Sequence, residues 1–555
     1  MKEKQKKTDF KTRRAAWLLV TGFGLLMSIP FLIPRLGLVA LVGFLPLFFL
    51  DRLLREKNIR HPFWYYYQAF VVFNILTTFW IWFVSPVGAI AALLLNALQM
   101  AAVFAIYRAG SRIIRARVKN PLTADALSLF FFIVTWLTWE HLYFDVEFSW
   151  PWLCLGNAFA TTTRLVQWYE ITGTVGGSFW ILLCNALLYL LLTSRQRSGR
   201  LGYGIAAATV IFLPILCSEI RYATYKETED PLEVVVLQPN VDPFQKYGIE
   251  PQSGLDARLI ELMARETTPA TRYIITPETF TYNIDIDNPE QNASYQRFKT
   301  FLKTRPDASL LLGALTYRRY EAIAKPTRSA RPAGAGQWVD FYNTALVMDG
   351  DTLYGSYVKS KLVPGVEIIP YEYAVPILGK IIQKCGGSSN SYGTLGEMEA
   401  IPGGDGRMLG SMICYESVYG DWSRVATKKG ANFLTVITND GWWGDTPGYR
   451  QHFNYARLRA IENRRDVVQA ANTGTSGLID QRGDVHFKTD WWVETAFRGT
   501  INANDALTPF VSHGDYIGRT ACYCFLTLLF ALLLWAAASA LDKRSGRDKP
   551  AAGNA

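Results

Sequence analysis

The chain has 555 residues, which is too long for one ordinary domain, and half of them are hydrophobic. Its formal net charge of +10 would suit nucleic acid, but the basic residues cluster in short loops between apolar segments, where they follow membrane topology, so that partner is excluded. Seven cysteines and five histidines form no CxxC, HExxH or Cys/His cluster, so no metal and no cofactor is expected; Cys385 and Cys414, the two cysteines in the stretch that reads as soluble, have no spacing that demands a disulfide.

A helix needs about 20 apolar residues to cross the hydrocarbon core. Eight stretches qualify: 15–33, 37–51, 63–84, 87–107, 124–142, 174–193, 201–220 and 520–541. The first reads as a span and not as a cleavable signal, because no small-residue cleavage site follows it and further spans do. The N-terminus carries Lys2, Lys4, Lys6, Lys7, Lys11, Arg13 and Arg14. The loops after the second, fourth and sixth spans and the C-terminal tail are basic too, whereas the alternate connections hold few Lys or Arg. Both termini are therefore expected in the cytoplasm, and the soluble stretch on the outer face, which in a bacterium is the periplasmic side of the inner membrane. The expected division is a membrane domain of seven helices at 1–220, a soluble domain at 230–505, and a last span with a cytoplasmic tail at 516–555. Between spans five and six, Glu140, Asp145 and Glu147 lie among Trp139, Trp150 and Trp152, which reads as an interfacial loop with an aromatic belt, although ionisable groups at that depth are functional candidates.

The soluble domain alternates strands and helices. Residues 233–238, 273–276 and 310–317 read as strands, with helices at 257–266 and 295–303 between them. Asp349-Gly350 turns a hairpin between 344–348 and 353–358. Residues 407–413, 432–437, 467–471 and 477–480 continue the strands, and 452–463 reads as an amphipathic helix. This pattern predicts an α/β sandwich with functional groups at strand ends. Residues 322–337 and 385–396 read as exposed loops, the second a lid candidate.

Three strand ends carry chemistry. Cys414 follows the apolar run 408–413 and is a nucleophile in wait of a base; Glu278, after Pro277, is the candidate base; and Lys359 is a cation for an oxyanion, to which the backbone N–H of Tyr415 would add a donor. Cys385, in a Gly/Ser-rich stretch with no strand behind it, is a weaker nucleophile. His452 is accounted for by its helix face. Trp442 and Trp443, flanked by Gly441 and Gly444, suit contact with acyl chains or headgroups, or core packing beneath the site.

The ordered set Pro277-Glu278, Lys359-x-x-Leu362-Val363-Pro364-x-x-Glu367, Cys414-Tyr415-Glu416 and Thr438-Asn439-Asp440-Gly441-Trp442-Trp443-Gly444-Asp445 resembles the nitrilase, or carbon–nitrogen hydrolase, superfamily over about half the chain. With seven spans before it and one after, the whole is similar to the apolipoprotein N-acyltransferase family. The resemblance implies a nitrilase-like αββα sandwich joined to a polytopic helical membrane domain. It also implies a Glu278–Lys359–Cys414 triad, with Glu367, Tyr415 and Glu416 in support. The implied reaction passes an acyl chain from a phospholipid to Cys414 as a thioester, then to the α-amino group of a lipoprotein's diacylglyceryl-cysteine, at the bilayer and without a cofactor. One departure stands out: Pro364-Gly365-Val366-Glu367 replaces the usual Pro-Phe-Gly-Glu, which puts the local turn around Glu367 in question. The alternative is a membrane-bound nitrilase-type amidase, in which water takes the thioester.

Overall fold

The computed structural model describes residues 2–547 except 245, 247–249, 323, 335, 385, 386 and 389, so Cys385 lies outside the described residues. Among the described residues, seven helices are long and apolar enough to cross a membrane: 10–32, 37–56, 86–117, 121–143, 169–193, 197–224 and 516–538. The expected span at 63–84 is present as a shorter helix, Phe63–Thr78, running into a 3-10 turn at Phe79–Phe83. The Thr77 and Thr78 hydroxyls there bond back to the carbonyls of Phe73 and Asn74, and the change of winding turns Trp80 inward against Trp152 and Trp443. The helix Arg197–Thr224 buries only Ala207 and Ser218, while Phe212, Leu213 and Leu216 stay exposed, as suits an outer face in contact with lipid.

The soluble domain contains two sheets. Strands β1 (Pro231–Gln238), β2 (Thr271–Ile275), β3 (Thr281–Asp285), β4 (Ser309–Glu321), β5 (Arg331–Gly334), β6 (Gln337–Met348) and β7 (Leu353–Val358) come first in the chain. They are followed by β8 (Ile401–Pro402), β9 (Met408–Ile413), β10 (Phe433–Thr438), β11 (Val467–Ala471), β12 (Gly477–Ile479), β13 (Val485–Lys488) and β14 (Thr495–Asn502). One sheet runs β14-β1-β2-β4-β6-β5, with β3 on β4 and β7 on β6; the other runs β13-β12-β11-β10-β9-β8. The two-residue side-chain period decides the layers. Val234 and Val236 of β1 face the second sheet's Met412, Phe433 and Val436 in one core. Val235 and Leu237 face outward onto Leu255 and Leu259 of the helix Gln252–Glu266 and Phe298 of the helix Ala293–Leu302. The helix Pro447–Asn463 covers the second sheet through Phe453, Ala456 and Ala460, completing helix–sheet–sheet–helix layers.

Three local expectations change. The helix at 447–463 is not amphipathic: it is buried on nearly every side, because Tyr455, Leu458 and Ile461 on its other face enter the membrane domain's core. Residues 322–337 are not simply a loop, since Arg331–Gly334 pairs antiparallel with β6. The segment 144–168 is not an exposed aromatic belt. Trp152 is buried, and Trp150 stacks on Tyr415, so the loop is a seat for the catalytic domain.

Candidate active site

Cys414 ends β9 with φ 52°, in the left-handed region, and opens a 3-10 turn, Cys414–Val418. An L residue there is strained and must be held by its surroundings. Glu416 is the main holder. It is fully buried and accepts hydrogen bonds from the N–H groups of Ile413 (2.9 Å), Ser360 (2.8 Å) and Lys361 (3.1 Å) and from Tyr357 Oη (2.6 Å). One carboxylate thus ties the thiol's turn to the loop that follows Lys359. Burial pushes Glu416 above the ordinary carboxylate range, against the pull of these donors.

Lys359, just past β7, is 1% exposed. Its Nζ donates to Glu278 Oε1 at 3.0 Å and to Glu367 Oε1 at 2.9 Å. Burial alone would discharge the amine, but the Glu278 and Glu367 carboxylates hold it well above its ordinary value, so it is an ammonium at neutral pH. The altered turn keeps Glu367 in place. Gly365 takes φ 79°, the main-chain N–H groups of Val366 and Glu367 bond to the Val363 carbonyl, and Glu367 Oε2 accepts from Val363 N at 2.8 Å. The segment expected as a lid lies against this turn, with Ser388 N on Gly365 O and Tyr392 N on Glu367 O.

Burial and the Glu278 carboxylate raise the half-buried Cys414 thiol well above its ordinary value, while the Lys359 ammonium pulls it back. The resting thiol therefore keeps its proton, and any attack by the sulfur would need a base to take it.

Tyr415 turns its side chain away from this cleft: Oη donates to the Ser149 carbonyl at 2.7 Å, which leaves its backbone N–H as the only part suited to an oxyanion. Trp443 packs between Trp80, Trp152 and His452. Trp442 instead meets the exposed Phe244 edge-on at 4.9 Å. Two groups escaped sequence reasoning. Asn343, on β6, donates to Glu278 Oε1 at 2.7 Å and Glu367 Oε1 at 3.2 Å, locking both acids from one amide. Lys246 is buried and donates to the carbonyls of Glu278 and Thr279, bracing the strand end that carries the acid. Neither has a local motif; only the pairing of β6 beside β4 and β7 brings Asn343 into place.

Two family descriptions match: the apolipoprotein N-acyltransferase N-terminal domain over residues 23–187 and carbon–nitrogen hydrolase over residues 236–506. The chain is 28% identical over 461 residues to the apolipoprotein N-acyltransferase of Chlorobaculum tepidum, covering 81% of this chain and 84% of that one. It is 26% identical over 407 residues to that of Geobacter metallireducens, with 71% and 73% covered, and 29% identical over 423 residues to that of Allorhizobium ampelinum, with 74% and 72% covered. A membrane domain and a catalytic domain matched in this order, together over most of the chain, make the chain a member of the apolipoprotein N-acyltransferase family.

Proposed function

We propose that the chain N-acylates lipoproteins by a ping-pong route through Cys414, with a phospholipid as acyl donor. In the first half, Glu278 takes the thiol proton as Sγ attacks the ester carbonyl. The Lys359 ammonium and the Tyr415 N–H face the oxygen that becomes negative. Collapse expels the glyceryl oxygen, which takes the proton from Glu278 and leaves as lysophospholipid. In the second half the α-amine of the diacylglyceryl-cysteine attacks the thioester, Glu278 accepts its proton, and the thiolate departs to be reprotonated. The observation that carries this reading is the buried ammonium held between two carboxylates beside the thiol, whose turn packs against the membrane domain's own loop through Tyr415.

The alternating basic loops favour a periplasmic catalytic domain and cytoplasmic termini, in line with an acceptor that is displayed outside the inner membrane. The exposed Phe244 and its partner Trp442 suit contact with acyl chains entering from the bilayer. The amidase alternative is not favoured, because the named relatives match across most of the chain.

The test is the intact mass of the purified protein after incubation with one phospholipid of known acyl chain. An acyl adduct on Cys414, absent in Cys414→Ser and discharged by a diacylglyceryl-cysteine peptide that becomes N-acylated, is expected. An adduct lost to water at the same rate with or without peptide would refute the transfer.

A further inference from the structure

Beneath the thiol lies a charged pair that the acyl-transfer reading leaves unused. His452, on the helix Pro447–Asn463, and Asp440, in the short turn after β10, are both 0% exposed. His452 Nδ1 faces the two Asp440 oxygens at 3.0 and 3.2 Å, and Nε2 faces the Cys414 carbonyl at 3.0 Å and Ser417 Oγ at 2.8 Å. The Ser417 hydroxyl donates to that same carbonyl at 2.9 Å, and Thr438 Oγ1 donates to Asp440 at 2.6 Å. Each ring nitrogen therefore looks at an acceptor. A neutral imidazole has one N–H and would set a lone pair against an oxygen on one side; an imidazolium satisfies both. The ring lies over Trp152, with centroids 5.8 Å apart and planes at 24°, and meets Trp443 edge-on at 5.5 Å. A cation over an indole face is favoured. Burial opposes the charge, but the Asp440 carboxylate outweighs it and raises His452 above its ordinary value. The ligating atoms of Cys414, Asp440 and His452 lie within 4.8 Å of one another, as a metal site would require, but a metal could bind only by taking a ring nitrogen from the acceptor it faces.

We infer that His452 is a positioning residue for the nucleophile: as an imidazolium it neutralises Asp440 beneath the sulfur and clamps the Cys414 carbonyl, fixing the left-handed turn that presents Sγ. The groups that bear on the thiol are then Glu278 and Asp440, which disfavour the thiolate, and Lys359 and His452, which favour it, while the Thr438 hydroxyl is committed to Asp440. Glu278 also favours the charged form of His452. The inference rests on Cys414 being the nucleophile, but its test reads the thiol itself and needs no acyl donor.

The experiment is iodoacetamide alkylation of Cys414 in the purified full chain as a function of pH, followed at that peptide by mass spectrometry. His452→Gln leaves Asp440 uncompensated beside the thiol. Alkylation at pH 8 should slow about tenfold or more, with the profile displaced upward by about one pH unit or more. The double variant His452→Gln/Asp440→Asn carries neither charge and should return to within about threefold of wild type. An unchanged profile in His452→Gln overturns the inference. So does a double variant as slow as the single, since that loss would come from packing and not from charge. Should His452→Gln fail to fold, Asp440→Asn alone decides: a thiol no slower than wild type is expected, and a slower one overturns the inference. A wild-type Cys414 that alkylates with the expected profile yet takes no acyl chain from phospholipid would refute the donor reading and leave this inference standing.

Discussion

Two regions of the cleft each bury carboxylates and use them in opposite ways. On the lysine side, Glu278 and Glu367 both direct an oxygen at the Lys359 ammonium, at 3.0 and 2.9 Å. On the thiol side, Glu416 meets no cation among the described residues and accepts from three main-chain N–H groups and one tyrosine hydroxyl. In the proposed reaction the first region holds a charge ready for an oxyanion that forms only as the thiol attacks, which is where preorganised electrostatics is most effective. The second uses its charge to keep two loops in register. Burial of an acid therefore does not mark it as catalytic; the kind of partner it faces does.

The largest expected effect comes from removing the charge on the lysine side. Lys359→Ala should slow thioester formation by at least about 10²–10³, the usual loss for one oxyanion-stabilising group, as read by the intact mass of the acyl adduct over time. Normal build-up of the adduct would remove Lys359 from that role. Glu416→Ala breaks the other region. Four donors, two of them buried, lose their acceptor, at about 1–3 kcal/mol for each buried one left unsatisfied, so the melting temperature should fall by several degrees or the chain should not fold. If Glu416→Ala melts like wild type and yet is inactive, the distinction between the two regions collapses. A smaller effect is expected for Glu367→Gln. Glu278 still holds the ammonium, and a Gln oxygen can still accept from Val363, so thioester formation should slow by about tenfold with little change in melting temperature. A loss as deep as that of Lys359→Ala would mean that Glu367 takes part in the proton transfers directly.

How much of this was legible in the sequence does not follow that division. Glu278, Lys359 and Cys414 stand at strand ends behind apolar runs, and strands announce themselves through β-branched residues, so the triad was visible in the sequence on both sides. Glu367 was in doubt because Gly365 and Val366 exchange the expected order of residues in the turn; it is kept because Gly365 supplies the positive φ at its own position. Asn343 and the roles of Asp440 and His452 were not legible. Asn343 reaches Glu367 and Glu278 across 24 and 65 positions, Asp440 and His452 meet across 12, and His452 in particular reads as a polar residue on an ordinary helix until that helix is seen to be enclosed by the catalytic sheet on one side and the membrane domain on the other. The same enclosure explains why Trp150 and Trp152 read as a membrane belt. Aromatic residues near a span end look alike whether they face headgroups or a docked domain.

A fourth acid sharpens the comparison because it has neither kind of support in full. Asp466, just before β11, accepts from the Asn502 main-chain N–H at 2.7 Å, and burial pushes its carboxyl up to about 8. Its unfolded value is near the ordinary aspartate value of about 4. The folded chain therefore binds a proton that the unfolded chain has already released across the window from about 4 to about 8. The sign follows: this group's contribution to stability is fully present below the unfolded value and is lost as pH rises toward the folded one, so it makes the protein less stable at pH 8 than at pH 5. Asp466→Asn keeps an acceptor for Asn502 and has no proton to lose. Its melting temperature should exceed that of wild type at pH 8, and the gap should narrow toward pH 5. A gap of the same size at both pH values would mean that Asp466 is held charged by its partners and that burial without a cation does not set its protonation.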